Sequence, residues 1–455
     1  MPNLFKILHL FGYAIYLGCA AVARLFPLPL VFLAGKYLGA AGYCVLRKRR
    51  RLAVANLRSA LGKSETEARE LALRHFMNLG ANLLSALKIA TMSDAQIRRR
   101  VTVEIAPEIP AAPDRKGWVA ALSHMGNWEL LGRLSPLFPQ YRFGAIYQKL
   151  ANDYVDGHFK KSRARSGVTL FDRRDGYWKS VAFLESGGVV GVLADQYAGT
   201  PGTWMPFFGR LTSTSTLASA LAQRVGVDVL PVSINTTGLA RWHVAVGHPL
   251  ENSSDPETLT AAVNRELERQ ITASPADWLW SHNRWKTPRY GFLLSASNRR
   301  VYFPPGFDRA MLKPYRILVR SVDDPDEAAL SVPAVRAIKR GRPDARVTVV
   351  ASGALADFWK RVEEVDEVIA ILPEETARTV VKKIAHAGEF EVGILLPETR
   401  RGAVEMFLAG VPCRLGAPRR FLLNHWGNPP GLRDPEPRGA ERYRRIAESA
   451  GAVVL

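Results

Sequence analysis

The sequence predicts an α/β protein with three parts. These are an apolar N-terminal membrane-anchor helix, an α/β domain with buried strands, and a second doubly wound parallel sheet. Three observations predict it. Ile7 to Ala23 carries no formal charge, and Leu25 to Leu46 is apolar apart from Lys36. Trp118 to Leu122 is a short apolar run closed by Ser123 and followed by a helical pattern, which reads as a strand buried on both faces. Beyond Pro314, strand and helix patterns alternate as βα units do. A length of 455 residues suits two domains.

The uncharged N-terminal run approaches the about 20 apolar residues that cross a bilayer. The basic block Arg47 to Arg51 behind it predicts a cytoplasmic flank. Residues 1–46 are therefore expected to be an uncleaved anchor in the inner (cytoplasmic) membrane, with the globular part and its active site facing the cytoplasm. Two buried core helices and a secretory signal peptide are the other readings of this segment. Residues 52–98 carry leucine and alanine at helical spacing, interrupted at Gly62-Lys63-Ser64, where Ser64 and Glu67 form a capping box. Val101 to Ile105, Phe143 to Tyr147, Gly187 to Ala194 and Val227 to Ile234 read as further strands. Thr212 to Thr216 is a hydroxyl-rich stretch suited to capping a helix at Leu217 to Val225. Trp278 to Trp285, with its tryptophans and Lys/Arg flank, reads as an interfacial segment. His243 and His248 read as surface or satisfied histidines.

A formal net charge of +20 points to anionic lipid, an acidic protein or nucleic acid as partner. Zinc-finger spacing and RNA-recognition signatures are absent, which argues against nucleic acid. Cys19, Cys44 and Cys413 form neither a CxxC pair nor a disulfide framework, as suits a reducing compartment or a membrane-side location. Neither a metal nor a cofactor is expected, and the oligomeric state is open.

The most informative stretch runs from Gly117 to Ser135. Asn127 is a suitable N-cap for a helix over Asn127 to Leu134. His124 and Glu129 face each other only if His124 lies on the strand-to-helix turn and Glu129 on the first helical turn. Such a turn, at the carboxyl end of a sheet strand, is where open α/β sheets place ligands. The matching chemistry is a histidine general base held by a carboxylate. With a substrate hydroxyl as nucleophile, no serine or cysteine is needed. Taken alone, His-x4-Glu also describes an ordinary loop histidine and a solvated glutamate.

This stretch resembles the late acyltransferases of lipid A biosynthesis, which carry a His-x4-Asp/Glu dyad after a buried strand. The resemblance spans roughly residues 1–290. It includes Arg49-Arg50-Arg51-Leu52-Ala53-Val54-Ala55-Asn56-Leu57, Asp195-Gln196, Pro206-Phe207-Phe208-Gly209, and Trp278 to Lys286. It implies catalysis by His124 and Glu129, with Glu129 orienting His124. It also implies that Arg163 and Arg165 bind acceptor phosphate or the acyl group, and that Lys149, Asp195 and Gln196 belong to the substrate site. Two positions depart from the family: a Tyr-Arg-Pro-like stretch is Tyr147-Gln148-Lys149, and the second Asp of Asp-Gln-Asp is Tyr197. The implied reaction moves a fatty acyl chain from an acyl-carrier-protein thioester to a hydroxyl of a lipid A precursor. Acylation of another glycolipid or lysophospholipid, and a non-catalytic membrane scaffold, are the alternatives.

Turn chemistry at Asn298-Arg299-Arg300 and Pro304-Pro305-Gly306 marks a linker over 296–314 between an acyltransferase domain at 47–295 and a last domain at 315–455. In that last domain Arg316 to Arg320, Val347 to Val350 and Glu367 to Leu372 read as strands, with a helix from about Glu327 to Arg340. It resembles the amino-terminal half of lipopolysaccharide heptosyltransferases at Ile317 to Arg320, Val332 to Lys339, Val365 to Ile369 and Leu408 to Gly416. The glycine that the family places before its proline helix is Asp326 here. A second nucleotide-sugar lobe is not expected. The resemblance therefore implies a fold without glycosyl transfer.

Overall fold

The computed structural model describes residues 2–109, 116–199, 201–250, 252–253, 255–288, 291–295, 300–396, 399–416, 423 and 439–454. The expected turn residues Asn298 and Arg299 lie outside this set, as do 417–422 and 424–438 of the last expected domain. By internal packing the chain divides into two units. Unit 1 is Met1–Ala198 with Thr214–Arg284, and unit 2 is Gly199–Ser213 with Trp285–Leu455. The division falls ahead of the expected linker at 296–314, and residues 199–213 join the second unit.

Unit 1 opens with five helices: α1 (Pro2–Leu25), α2 (Leu28–Val45), α3 (Arg47–Leu61), α4 (Glu65–Ile89) and α5 (Asp94–Arg98). The apolar N-terminal segment is thus two helices, parted by Pro27, whose ring cannot continue α1. Lys6–Leu25 and Leu28–Val45 are each long and apolar enough to cross a membrane. Yet α2 is also part of the folded core. Its Leu28 and Phe32 share a buried cluster with Ala81 and Ile89 of α4 and with residues of the sheet. Glycines bring α2 and α4 into backbone contact: a side chain at Gly39 would collide with the Phe76 carbonyl, and one at Gly80 with that of Gly35. The capping box at Ser64 and Glu67 is formed and starts α4.

The strands of unit 1 are β1 (Val101–Ile105), β2 (Trp118–Leu122), β3 (Arg142–Tyr147), β4 (Val168–Asp172) and β5 (Gly188–Leu193). Between them come α6 (Trp128–Leu131), α7 (Asp153–Arg165) and α8 (Tyr177–Glu185). A two-stranded ribbon, β6 (Thr203–Phe207) and β7 (Arg210–Thr214), leads to α9 (Leu217–Val225). Then follow β8 (Val229–Gly238), β9 (Arg241–Val246) and α10 (Pro256–Ala273). The seven-stranded sheet has the order β1-β9-β8-β2-β5-β3-β4. Its pairs are parallel except β8 with β9. The stretch expected to cap α9 is mostly strand instead. Thr216 makes no side-chain cap, and the Leu217 N–H goes to the Ser215 hydroxyl.

Unit 2 alternates strand and helix: β10 (Tyr315–Arg320), α11 (Pro325–Arg340), β11 (Ala345–Ser352), α12 (Ala356–Lys360), β12 (Glu367–Ile371), α13 (Ala377–Ala387), β13 (Val392–Leu395), α14 (Arg400–Leu408), β14 (Cys413–Gly416) and α15 (Ala440–Ala450). The sheet is wholly parallel with order β12-β11-β10-β13-β14, so its order reverses beside β10 as in a doubly wound fold. Its strands are almost continuously buried, as strands covered on both faces must be.

Candidate active site

Strand register builds the site. β2 pairs with β5 so that Trp118 lies opposite Val189 and Leu122 opposite Leu193. Two residues beyond the last pair, the same offset puts His124 opposite Asp195. The Ala194 N–H still donates to the Leu122 carbonyl at 2.9 Å, so the strands remain joined up to the site. His124 Nδ1 is 2.8 Å from Asp195 Oδ1, and the His124 backbone N–H donates to Asp195 Oδ2 at 2.9 Å. The Trp278 indole N–H donates to the same Oδ2 at 2.8 Å. A carboxylate held by these donors fixes the proton on Nδ1 and leaves Nε2 with a lone pair. Nε2 takes a 3.2 Å contact from the Gln196 side-chain amide.

Asp195 is buried, which alone would raise its pKa. The charge of His124 and the hydrogen bonds from His124 and Trp278 outweigh this and hold it well below the usual carboxylate range. For His124, burial pulls the pKa down. The charge and hydrogen bond of Asp195, with the charge of Glu129, bring it above the ordinary 6.5. Arg284 is wholly buried, donates to the Thr214 hydroxyl at 2.7 Å, and burial pulls it down to about 10 against the field of Asp195.

The carboxylate expected to orient His124 does something else. Glu129 accepts two bonds from one nitrogen of Arg163, at 2.9 and 2.8 Å, and acts on His124 only through its charge. The physical reason is local: α6 is a single turn, and the sheet register delivers Asp195 to the histidine first. Arg163, on α7, is occupied by Glu129 and lies over the rings of Tyr147 and Phe159. Arg165 is exposed, and Lys149 is exposed and paired with Asp153 at 2.7 Å. The structure thus joins His124, Asp195 and Gln196 directly and Glu129 with Arg163 beside them. It gives Arg165 and Lys149 no part in that network.

The loop between β2 and α6 is held by groups that sequence reasoning missed. Gly126 has φ +49°, and a side chain there would strike the Ile234 carbonyl. Its N–H donates to the Asp277 carbonyl at 3.1 Å. The buried Asp277 carboxylate accepts from the Thr236 N–H, Ser274 and Asn78. Asn127 caps α6 as expected, its Oδ1 accepting from the Leu130 N–H, while its buried Nδ2 has no hydrogen-bond partner among the described residues. The segment expected at an interface is interior. Trp278 and Trp280 are 1% and 0% exposed, and their indole N–H groups reach Asp195 and the Pro275 carbonyl. Buried acceptors for the indoles, invisible in sequence, decide this. His282 Nε2 accepts from the Tyr197 N–H at 3.3 Å.

An apolar cavity of about 180 Å³ reaches Leu122, two residues before His124. It crosses one face of the sheet, with lining from Leu122 just before the site, Leu131 and Leu134 just after it, and Trp118, Phe143 and Val244 farther off. Small side chains make part of its floor: Ala120, Gly191 and Ala145 stand in one row across β2, β5 and β3. Among the described residues no group of three or more His, Cys, Asp or Glu is placed to hold a metal ion.

A family model described as bacterial lipid A biosynthesis acyltransferase matches residues 2–287. The chain belongs to that family. It is an acyltransferase of the lipid A biosynthesis class. It is 25% identical over 271 residues to the lipid A biosynthesis palmitoleoyltransferase of Escherichia coli K12, covering 58% of this chain and 88% of that one. A lauroyltransferase of lipid A biosynthesis from the same organism is also 25% identical over 271 residues, covering 57% and 87%. A phosphatidylinositol mannoside acyltransferase of Mycobacterium tuberculosis is 26% identical over 175 residues, covering 37% and 54%. Among solved structures, E. coli ADP-heptose lipopolysaccharide heptosyltransferase II matches 30% of this chain and 41% of its own, at 22% identity and a TM-score of 0.25. So partial a likeness says nothing of activity, and the parallel fold of unit 2 rests on its own strand order.

Proposed function

We propose that this acyltransferase moves a fatty acyl group from an acyl-carrier-protein thioester to a hydroxyl of a lipid A precursor. The observation that carries the reading is the His124–Asp195 pair beside an apolar cavity. Asp195 keeps the proton on Nδ1, so His124 Nε2 takes the proton of the acceptor hydroxyl. The oxygen attacks the thioester carbonyl, forming the C–O ester bond. The C–S bond breaks, and the leaving thiolate takes the proton back from the imidazolium. Gln196 occupies Nε2 at rest and yields that place to the hydroxyl. Asn127 Nδ2, without a hydrogen-bond partner among the described residues, is our candidate for steadying the oxyanion, while Oδ1 keeps its cap of α6.

Glu129 and Arg163 act beside this pair, Glu129 stabilising the imidazolium through its charge. The cavity takes the acyl chain being transferred. A net charge of +20 suits an acidic carrier protein and anionic lipid. The two apolar helices α1 and α2 hold the chain at the inner membrane. The basic block at the start of α3 supports a site facing the cytoplasm. The test is transfer by the purified full chain in mixed micelles, from acyl carrier protein to a lipid A precursor, read by mass spectrometry. Ester formation that His124→Ala abolishes supports the reading. Transfer that survives this change refutes it. Running a phosphatidylinositol mannoside beside the precursor decides between the two acceptor classes carried by the relatives.

A further inference from the structure

Unit 1 has a second apolar hollow, of about 720 Å³, separate from the one across the sheet. Tyr16 and Cys19 of α1 form one wall, and Leu38, Gly39 and Gly42 of α2 the other. Phe76, Leu79, Leu83, Leu84 and Leu87 of α4 line its length. From Phe76 to Leu87, α4 rises about 16 Å. That is close to half of a hydrocarbon core about 30 Å thick, the depth of one leaflet. The rim is apolar and open: Leu38 is 62% exposed and Leu83 is 48% exposed. Outside it α1 shows Phe11 and α2 shows Tyr37 to solvent, at 65% and 72%. Such a face on flanking helices marks a membrane contact.

The inner end is polar and touches the catalytic residues. It is formed by Arg49, Leu279, Ser281 and His282. The Leu279 N–H donates to the His124 carbonyl at 3.1 Å. His282 Nε2 accepts from Tyr197, which follows Gln196, so its proton sits on Nδ1. Arg49 spends one nitrogen on the Ser281 carbonyl at 3.2 Å and is otherwise exposed. α3 is fixed beside this end by Asn56, whose amide donates to the Trp280 and His282 carbonyls. The donors gathered there suit phosphate or sugar oxygens.

The geometry points to this groove as the seat of the acceptor: the acyl chains of a phosphate-bearing glycolipid lie between α1, α2 and α4, entering sideways from one leaflet, with the head group at Arg49 and His282. The transferred chain lies in the other cavity, so each substrate has its own apolar compartment and they meet at His124. This rests on the proposed acyl transfer to a lipid A precursor.

The experiment uses the full chain in phosphatidylcholine vesicles with or without a phosphorylated lipid A precursor. Leu83→Trp fills the groove. It should raise the KM for the lipid acceptor by about tenfold or more, while donor thioester hydrolysis, measured without acceptor, keeps its rate. Arg49→Gln should raise the KM for the phosphorylated acceptor and leave that for its dephosphorylated form unchanged. Leu30→Trp, on the exposed face of α2 outside the groove, is the control. An unchanged acceptor KM in Leu83→Trp overturns the assignment. Equal losses in transfer and hydrolysis overturn it too, placing the donor chain in the groove. A readout independent of turnover is maleimide labelling of Cys19 in a Cys44→Ser background, where Cys413 is buried. Precursor in the vesicles should slow that labelling by about tenfold; an undiminished rate contradicts the groove. Protection without any acyl transfer would keep the groove and sink the proposed reaction instead.

Discussion

The residues that follow β2 and β5 in unit 1 are His124 and Asp195. The corresponding edge of unit 2, at the ends of β10 and β13, holds Arg320 and Leu395. Both edges bury charge. In unit 2 Arg320 donates to the Ser321 and Val350 carbonyls and lies 3.7 Å from Glu405, which in turn accepts from Arg401 at 2.8 Å. Arg342 and Asp344 form another buried pair. These charges are set against one another, and no histidine stands among them. In unit 1 the carboxylate holds a group with a second nitrogen to spare, beside an apolar cavity. Two largely parallel sheets thus differ in the groups they present at or just beyond the strand ends, more than in the strands themselves.

The contrast can be broken where it is strongest. His124→Ala should lower acyl transfer by about a hundredfold or more, the usual value of a general base. Asp195→Asn should cost a similar factor, since it frees the tautomer. It should also alter stability with pH. The depressed Asp195 pKa adds stability above its ordinary value of 3.8 that fades as pH falls below it. The raised His124 pKa adds stability below 6.5 that fades as pH rises through the shifted value. Thermal unfolding against pH should show the wild-type chain losing its advantage over Asp195→Asn at both ends.

Gly191→Leu, in the row of small side chains on the cavity floor, should shift acceptance toward shorter acyl chains, by about 10- to 200-fold in the ratio of kcat/KM values. Competing donors of two chain lengths measure this. Glu129→Gln should slow transfer by only about tenfold, because its effect on His124 is through charge alone. Rates of the two carboxylate variants side by side separate the orienting residue from its neighbour. Smallest of all, Glu405→Gln should destabilise unit 2 by about 1–3 kcal/mol in hydrogen exchange and leave acyl transfer within about twofold. A large loss of transfer would end the division of roles between the units.

Much of the architecture was legible. Apolar runs such as Trp118–Leu122 and the capping box at Ser64 carry local signals, and local signals survive into the fold. His124 stood out because a polar turn after a buried strand is unusual. Its true partner did not. Glu129 is five residues away and Asp195 seventy-one, and only strand register brings the distant one closer. The Trp278–Trp285 segment was visible as a motif, but nothing in it tells that its indoles face buried acceptors rather than lipid. Likewise α2 looks like a free anchor until Gly35, Gly39 and Gly80 show how closely it meets α4.

The central claim is that His124 is a base held by Asp195. The pH dependence of kcat/KM for the wild-type chain, Asp195→Asn and Glu129→Gln tests it most directly. The wild-type rate should rise with pH along a limb centred above 6.5, where the imidazole loses its proton. In Asp195→Asn burial is left largely unopposed, so the limb should move to lower pH while the plateau drops. In Glu129→Gln the limb should move in the same direction by less, on a plateau closer to wild type. A limb that stays in place in Asp195→Asn and moves in Glu129→Gln would contradict the account and return the orienting role to Glu129.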